Sequence, residues 1–172
     1  MKLVIASDIH GSAYWCRKLM DVIEEQKPEK VILLGDILYH GPRNDLPKEY
    51  APKEVIQLLS AIKDRIICVR GNCEAEVDQM VLPFSCMNES TQLYIDNRVI
   101  YCTHGHHSSP DSLPMLSEGD IFLCGHTHIK QDDIVDGIRC LNPGSVSIPK
   151  DGSNSCLIYD NGVFRFCTLE DQ

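Results

Sequence analysis

No stretch of this sequence approaches the ~20 consecutive apolar residues needed to cross a bilayer, and none of its nine cysteines forms a Cys-x-x-Cys pair. The first absence argues against a membrane span. The second removes the zinc-ribbon and thioredoxin-like signatures. Positive charge is also scarce: sixteen Lys and Arg stand against twenty-five Asp and Glu, a formal charge of −9. No basic cluster offsets this, so polymeric DNA or RNA and anionic membranes are poor partners at long range. Two bound divalent ions, adding +4, would bring the chain to roughly −5. The apolar start, Met1 to Ser7, is too short for a signal peptide and is broken by Asp8 and His10, which predicts an unexported, cytoplasmic protein. Cys68, Cys102, Cys124, Cys140 and Cys156 sit inside apolar runs. There they read as buried free thiols of a reducing compartment.

What is present is a periodic chain long enough for one domain, residues 1–172, with a full core. Leu3 to Ser7 reads as a buried strand. Ser12 can cap a helix carrying Cys16, Leu19, Met20 and Ile23, and Pro28 stops it. Val31 to Leu34 is a second strand. Pro52 opens a second helix with Val55, Leu58, Leu59 and Ile62, and Ile66 to Val69 is a third strand. This β-α-β-α-β order predicts a parallel sheet with right-handed crossovers. The second half changes character. Hairpins are expected at Asp96-Asn97-Arg98, Asp136-Gly137 and Asn161-Gly162, with a short strand at Ile121 to Cys124. Residues 105–119 form a polar loop holding Pro110 and Pro114. Two sheets packed face to face with helices outside are the expected architecture.

Each candidate strand of the ligand crevice ends in a metal-type donor. Asp8 and His10 follow the first, Asp36 the second and Asn72 the third. His104 follows Val99 to Thr103, and Gly125-His126-Thr127-His128 follows Ile121 to Cys124. In such sheets the carboxyl ends of the strands form the ligand crevice. Seven oxygen and nitrogen donors, without thiolate, suit Mn²⁺, Fe or Zn²⁺ better than Cu(I). They are too many for one ion; if Asp36 bridges, each of two ions receives four. Two ions ~3.5–4 Å apart clamp the attacking and departing oxygens of a phosphoryl transfer and lower the pKa of a shared water.

Asp8-Ile9-His10, Gly35-Asp36, Gly71-Asn72, His104-Gly105 and Gly125-His126-Thr127-His128 resemble the five signature blocks of the calcineurin-like metallophosphoesterases. His40-Gly41-Pro42-Arg43-Asn44, Arg70-Gly71-Asn72-Cys73, Glu76 to Met80 and Asn142 to Pro149 are similar to the small bacterial YfcE-type phosphodiesterases within that family. The resemblance implies an α/β fold, a four-layer α/β/β/α sandwich of two mixed sheets. It implies two divalent ions, manganese first, with iron, zinc or nickel as alternatives. One would be held by Asp8, His10, Asp36 and His128, the other by Asp36, Asn72, His104 and His126. It also implies self-association into dimers or tetramers. The expected activity is hydrolysis of small-molecule phosphodiesters by a metal-bridging hydroxide. A monoesterase of the same fold and a non-catalytic assembly scaffold are the alternatives.

The residue after Asn72 is His in most of the wider family, where it is thought to meet the leaving oxygen. Here it is Cys73. A thiol is a weak general acid and a poor donor, and its small size leaves room beside phosphorus. Both features favour a diester. Arg43 is a candidate to grip phosphate bidentately. His106 is a candidate to bond phosphate or to orient His104. His107 reads as a solvated loop residue, His40 as support behind the ligands and Trp15 as packing.

Overall fold

A computed structural model describes residues 1–170. The elements are β1 (Lys2–Ala6), α1 (Ala13–Gln26), β2 (Lys30–Leu33), α2 (Pro52–Ser60), β3 (Ile66–Cys68), α3 (Glu76–Val81), β4 (Ser90–Ile95), β5 (Arg98–Thr103), β6 (Ile121–Leu123), β7 (Lys130–Val135), β8 (Ile138–Pro143), β9 (Ser155–Asp160) and β10 (Val163–Thr168). They build two five-stranded mixed sheets, in the orders β10-β9-β1-β2-β3 and β4-β5-β6-β8-β7. β1, β2 and β3 run parallel in the first, and β5, β6 and β8 run parallel in the second.

The apolar runs that predicted buried strands are buried on both faces, as parallel strands between two layers must be. Val4, Ala6, Val31 and Leu33 face Leu19, Ile23, Val55 and Leu59 of α1 and α2. The alternate residues Leu3, Ile5, Ile32 and Leu34 face Ile100, Cys102, Ile121, Leu123 and Leu141 of the second sheet. The central core therefore lies between the sheets, as expected. The outer face of the second sheet, around Phe122, Cys124 and Cys140, is covered by Leu113 and Leu116. Those residues belong to the 105–119 segment, so a loop rather than a helix closes this side.

Local signals act where expected. Ser12 caps α1, its Oγ accepting the Trp15 N–H at 3.3 Å. The three hairpins turn on Asp96-Asn97, Asp136-Gly137 and Asn161-Gly162, all six residues at positive φ. Two elements carry little sequence signal. β7 runs from Lys130, and its polar half pairs through backbone bonds to β8 at a sheet edge, which needs no apolar residues. α3 is a single short helix held by Asp78, which accepts the Ala75 N–H at 2.7 Å. Six residues are too few to show a 3.6-residue period. All nine cysteines are free, and seven are buried. No helix among the described residues is long and apolar enough to cross a membrane.

Candidate metal centre

The carboxyl ends of β1, β2 and β3 meet those of β5 and β6 at one edge of the sandwich. The donors predicted to converge do so. Asp8, His10, Asp36, His104 and His128 are all buried. His128 Nε2 lies 3.1 Å from Asp8 Oδ1, and His10 Nε2 lies 3.5 Å from the same oxygen. Asp36 Oδ2 stands between two rings, 3.6 Å from His10 Nε2 and 3.4 Å from His104 Nε2. Asn72 Oδ1 is 3.0 Å from His104 Nε2. Three groups of possible donors lie in the crevice, Asp8–His10–His128, Asp8–Asp36–His104 and His10–Asp36–Cys73, each drawn within 4.8 Å, and a fourth, Glu89–His106–His107, lies beside it.

Three imidazoles are fixed in the same way. The Nδ1 atoms of His10, His104 and His128 bond the carbonyls of Tyr39, Leu34 and Ile148 at 2.7, 2.6 and 2.8 Å. A carbonyl only accepts, so each Nδ1 carries a hydrogen, and in the neutral ring each Nε2 turns a lone pair inward. His10 Nε2 and His128 Nε2 then face each other at 3.4 Å. Two lone pairs at that distance repel unless a proton or cation lies between them. Asp8 Oδ1, beside both, is buried with no hydrogen-bond partner. An orphan carboxylate oxygen amid inward lone pairs is the donor set that a divalent cation satisfies.

The electrostatics point the same way. Burial works to raise the Asp8 carboxyl, but the facing rings of His10 and His128, with His104 nearby, hold it well below the usual range. Burial opposes the charged form of His104, yet Asp36 and Asp8 outweigh it and push that ring up to about 9. Asp36 is likewise lowered against its burial by His104. Without metal, protons on the imidazoles compensate these carboxylates.

The backbone explains the glycines at the strand ends. A Cβ on Gly71 would stand 2.1 Å from Asp36 Oδ1, and one on Gly125 would stand 1.9 Å from Ser7 Oγ. Only glycine lets these loops approach so closely. Asp8, His10, Asp36, His126 and His128 themselves adopt left-handed φ, between 47° and 67°.

The remaining predicted residues are placed as follows. His126 gives its backbone N–H to Asp8 Oδ2 at 3.1 Å, and its ring stands 5.1 Å from that of His104. Cys73 bonds Asp36 Oδ1 through its backbone N–H at 2.9 Å. Burial, with the Asp36 charge beside it, pushes the Cys73 thiol far above its ordinary value, so the sulfur keeps its hydrogen. Arg43 lines the cavity over the centre, which holds about 530 Å³. His106 packs its ring 5.3 Å from that of His104, but the Nδ1 of His104 is oriented by Leu34. His107 is exposed and pairs with Glu89 at 3.0 Å.

Sequence reasoning missed a buried carboxylate. Glu74 accepts the N–H groups of Asp36, Ile37 and Gly71 at 2.8, 2.7 and 2.5 Å, tying the loops after β2 and β3 together. It also missed Ser145 and Ser147, whose hydroxyls donate to the Asp8 carbonyl at 2.9 and 3.1 Å. Lys150, which lines the cavity with Arg43, was a third. An acid just past Gly71-Asn72 was the only available hint for Glu74.

Residues 1–161 match the profile of the calcineurin-like phosphoesterase superfamily domain. The chain belongs to that superfamily. It is 40% identical to the phosphodiesterase YfcE of Escherichia coli K12 over 173 aligned residues, covering 100% of this chain and 94% of that protein. A solved structure of the E. coli YfcE phosphoesterase superposes with a TM-score of 0.94 at 37% identity, covering 99% of this chain and all of the other. A phosphodiesterase of Methanocaldococcus jannaschii is 27% identical over 151 residues, 84% of this chain and 83% of its own length. The family is metal-dependent, and the donor groups fit that requirement.

Proposed function

We propose that the protein is a metal-dependent phosphodiesterase acting on small molecules with two divalent ions, manganese foremost. The reading rests above all on the opposed Nε2 atoms of His10 and His128 around the unpartnered Asp8 Oδ1. Asp8, His10, Asp36 and His128 would hold one ion; Asp36, Asn72, His104 and His126 would hold the other. Asp36 Oδ2, lying between His10 and His104, suits the shared position. When bound, the ions supply an activated water and offset charge building on the phosphate oxygens.

The chain's own residues do the rest. The carbonyls of Tyr39, Leu34 and Ile148 hold the imidazoles in one tautomer. Glu74, Ser145 and Ser147 fix the loops that carry the carboxylates. Arg43 and Lys150 supply positive charge on the cavity rim, where the phosphate's outer oxygens would lie. His106, whose ring burial above all lowers to about 4, serves as a neutral hydrogen-bonding group. Cys73, kept protonated, is too weak an acid to help a departing oxygen much, and its small side chain leaves room for a second ester arm. Both properties favour a diester over a monoester. The exposed β10 edge, with Val163 and Phe166, would serve self-association. The two named relatives being phosphodiesterases supports the activity.

The test is turnover of matched mono- and diesters by protein stripped of metal and reloaded with Mn²⁺, for wild type and Cys73→His. The expected result is Mn²⁺-dependent diester hydrolysis, with the substitution raising the monoester-to-diester ratio. Full activity after chelation, or an unchanged ratio, contradicts the reading.

A further inference from the structure

Beside the metal-centre cavity lies a second one, of about 310 Å³, and Cys73 lines both. The walls differ in chemistry. The first carries Arg43, Lys150, Asn44 and five of the seven donors. The second is formed by Leu38, Tyr39, Tyr50, Pro52 and Val77. Its one carboxylate, Asp78, is already engaged by the Ala75 N–H. Val77 is 60% exposed and Tyr39 41% exposed, leaving apolar surface open at the mouth. Tyr39 belongs to the centre as well, because its carbonyl orients His10. The tyrosine rings are braced through His40, which meets Tyr39 and Tyr50 edge-on at 4.7 and 5.2 Å.

A diester on the metal centre presents its non-bridging oxygens to the ions and to the cationic rim. One ester arm must leave past the neighbouring groups, and Cys73, small and uncharged, is the side chain shared by the two cavities. Beyond it the surroundings are apolar and ring-lined, with room for one flat ring system. Charged or strongly hydrated arms would lose water there without replacement; an aromatic ring would gain contact with the tyrosines. We propose that this cavity is a subsite for a flat aromatic ester arm, a nucleobase or an aryl ring, of the diester cleaved at the metal centre. The proposal rests on the phosphodiesterase reading.

The experiment uses the Mn²⁺-loaded protein and three diesters assayed by product chromatography: bis(4-nitrophenyl) phosphate, a dinucleoside monophosphate and glycerophosphoethanolamine. Val77→Trp fills the cavity from its exposed side; Val77→Asp places a charge there. Both are expected to lower the ratio of kcat/KM for a ring-bearing diester to that for glycerophosphoethanolamine about tenfold, mainly through KM. A fall for the dinucleoside alone identifies a base as the ring, and a fall for the aryl diester alone identifies an aryl group. Ratios that stay constant overturn the subsite while leaving the diesterase reading intact. Constant ratios with a changed oligomeric state by light scattering also overturn it, and assign the cavity to a second copy of the chain. Wild type that holds Mn²⁺ yet cleaves none of the three sinks the diesterase reading and the subsite with it.

Discussion

Apart from Lys27 at the end of α1 and Glu49 in a loop, left-handed backbone at non-glycine residues occurs in two kinds of place among the described residues. In the hairpins it falls on Asp96, Asn97, Asp136 and Asn161, in two-residue surface turns. At the crevice it falls on Asp8, His10, Asp36, His126 and His128. The conformation is the same, but the causes differ. A type I′ turn demands it, and Asn and Asp adopt it at little cost. Histidine has less local compensation, so the crevice must hold the conformation from outside, through Glu74, Ser145, Ser147 and the carbonyls that grip the imidazoles. Local sequence sets the turns; distant partners set the site.

The strongest way to break this contrast is to remove one carboxylate of each kind. Asp36→Ala should lower kcat/KM for a diester by about a thousandfold or more, whereas Asp136→Ala, in a hairpin, should stay within about twofold. Steady-state assays at saturating Mn²⁺ check both. Activity of Asp36→Ala within tenfold of wild type would remove the site from the account.

Next in size is Glu74→Gln. One amide oxygen cannot serve three N–H groups, and its NH₂ would face donors. The Mn²⁺ dissociation constant, by calorimetry, should rise about 10–100-fold. Thermal unfolding of the metal-free protein separates the roles. A lower melting temperature with unchanged Mn²⁺ affinity would make Glu74 a fold residue only.

A smaller effect is expected from pH. His104 is raised above its unfolded value to about 9. Its contribution to stability is therefore full below about 6.5 and lost as pH rises through 9. Metal-free protein should lose stability to urea between pH 6.5 and 9, and Mn²⁺-loaded protein much less, since a bound ion needs the ring neutral. Equal pH profiles for both forms would contradict the assignment. The smallest effect belongs to a turn. Asn161→Ala should cost about 1 kcal/mol in urea unfolding and Asn161→Gly only a few tenths. Equal values for the two would mean that the turn does not enforce positive φ.

The same contrast explains what the sequence made legible. Strands, the two longer helices and the donors at strand ends are written in local patterns: apolar runs, 3.6-residue spacing, and Gly beside Asp, Asn or His. Glu74 was invisible because its partners are backbone N–H groups, two of them 37 and 38 positions away, which no side-chain pattern records. Ser145 and Ser147 reach a carbonyl nearly 140 residues distant. The loop over the second sheet packs the half-buried Leu113 and Leu116 of a polar segment against it, too few to mark a layer. The shared position of Cys73 between two cavities depends on where α3 packs, and that helix carries no periodic signal of its own.

The central claim is that scattered donors form one cage for two cations. Anomalous diffraction from crystals soaked in Mn²⁺ tests it most directly. The account predicts two peaks, one among Asp8, His10, Asp36 and His128, the other among Asp36, Asn72, His104 and His126. No peak in the crevice at saturating Mn²⁺, or a single peak that leaves Asp36 unliganded, would contradict it.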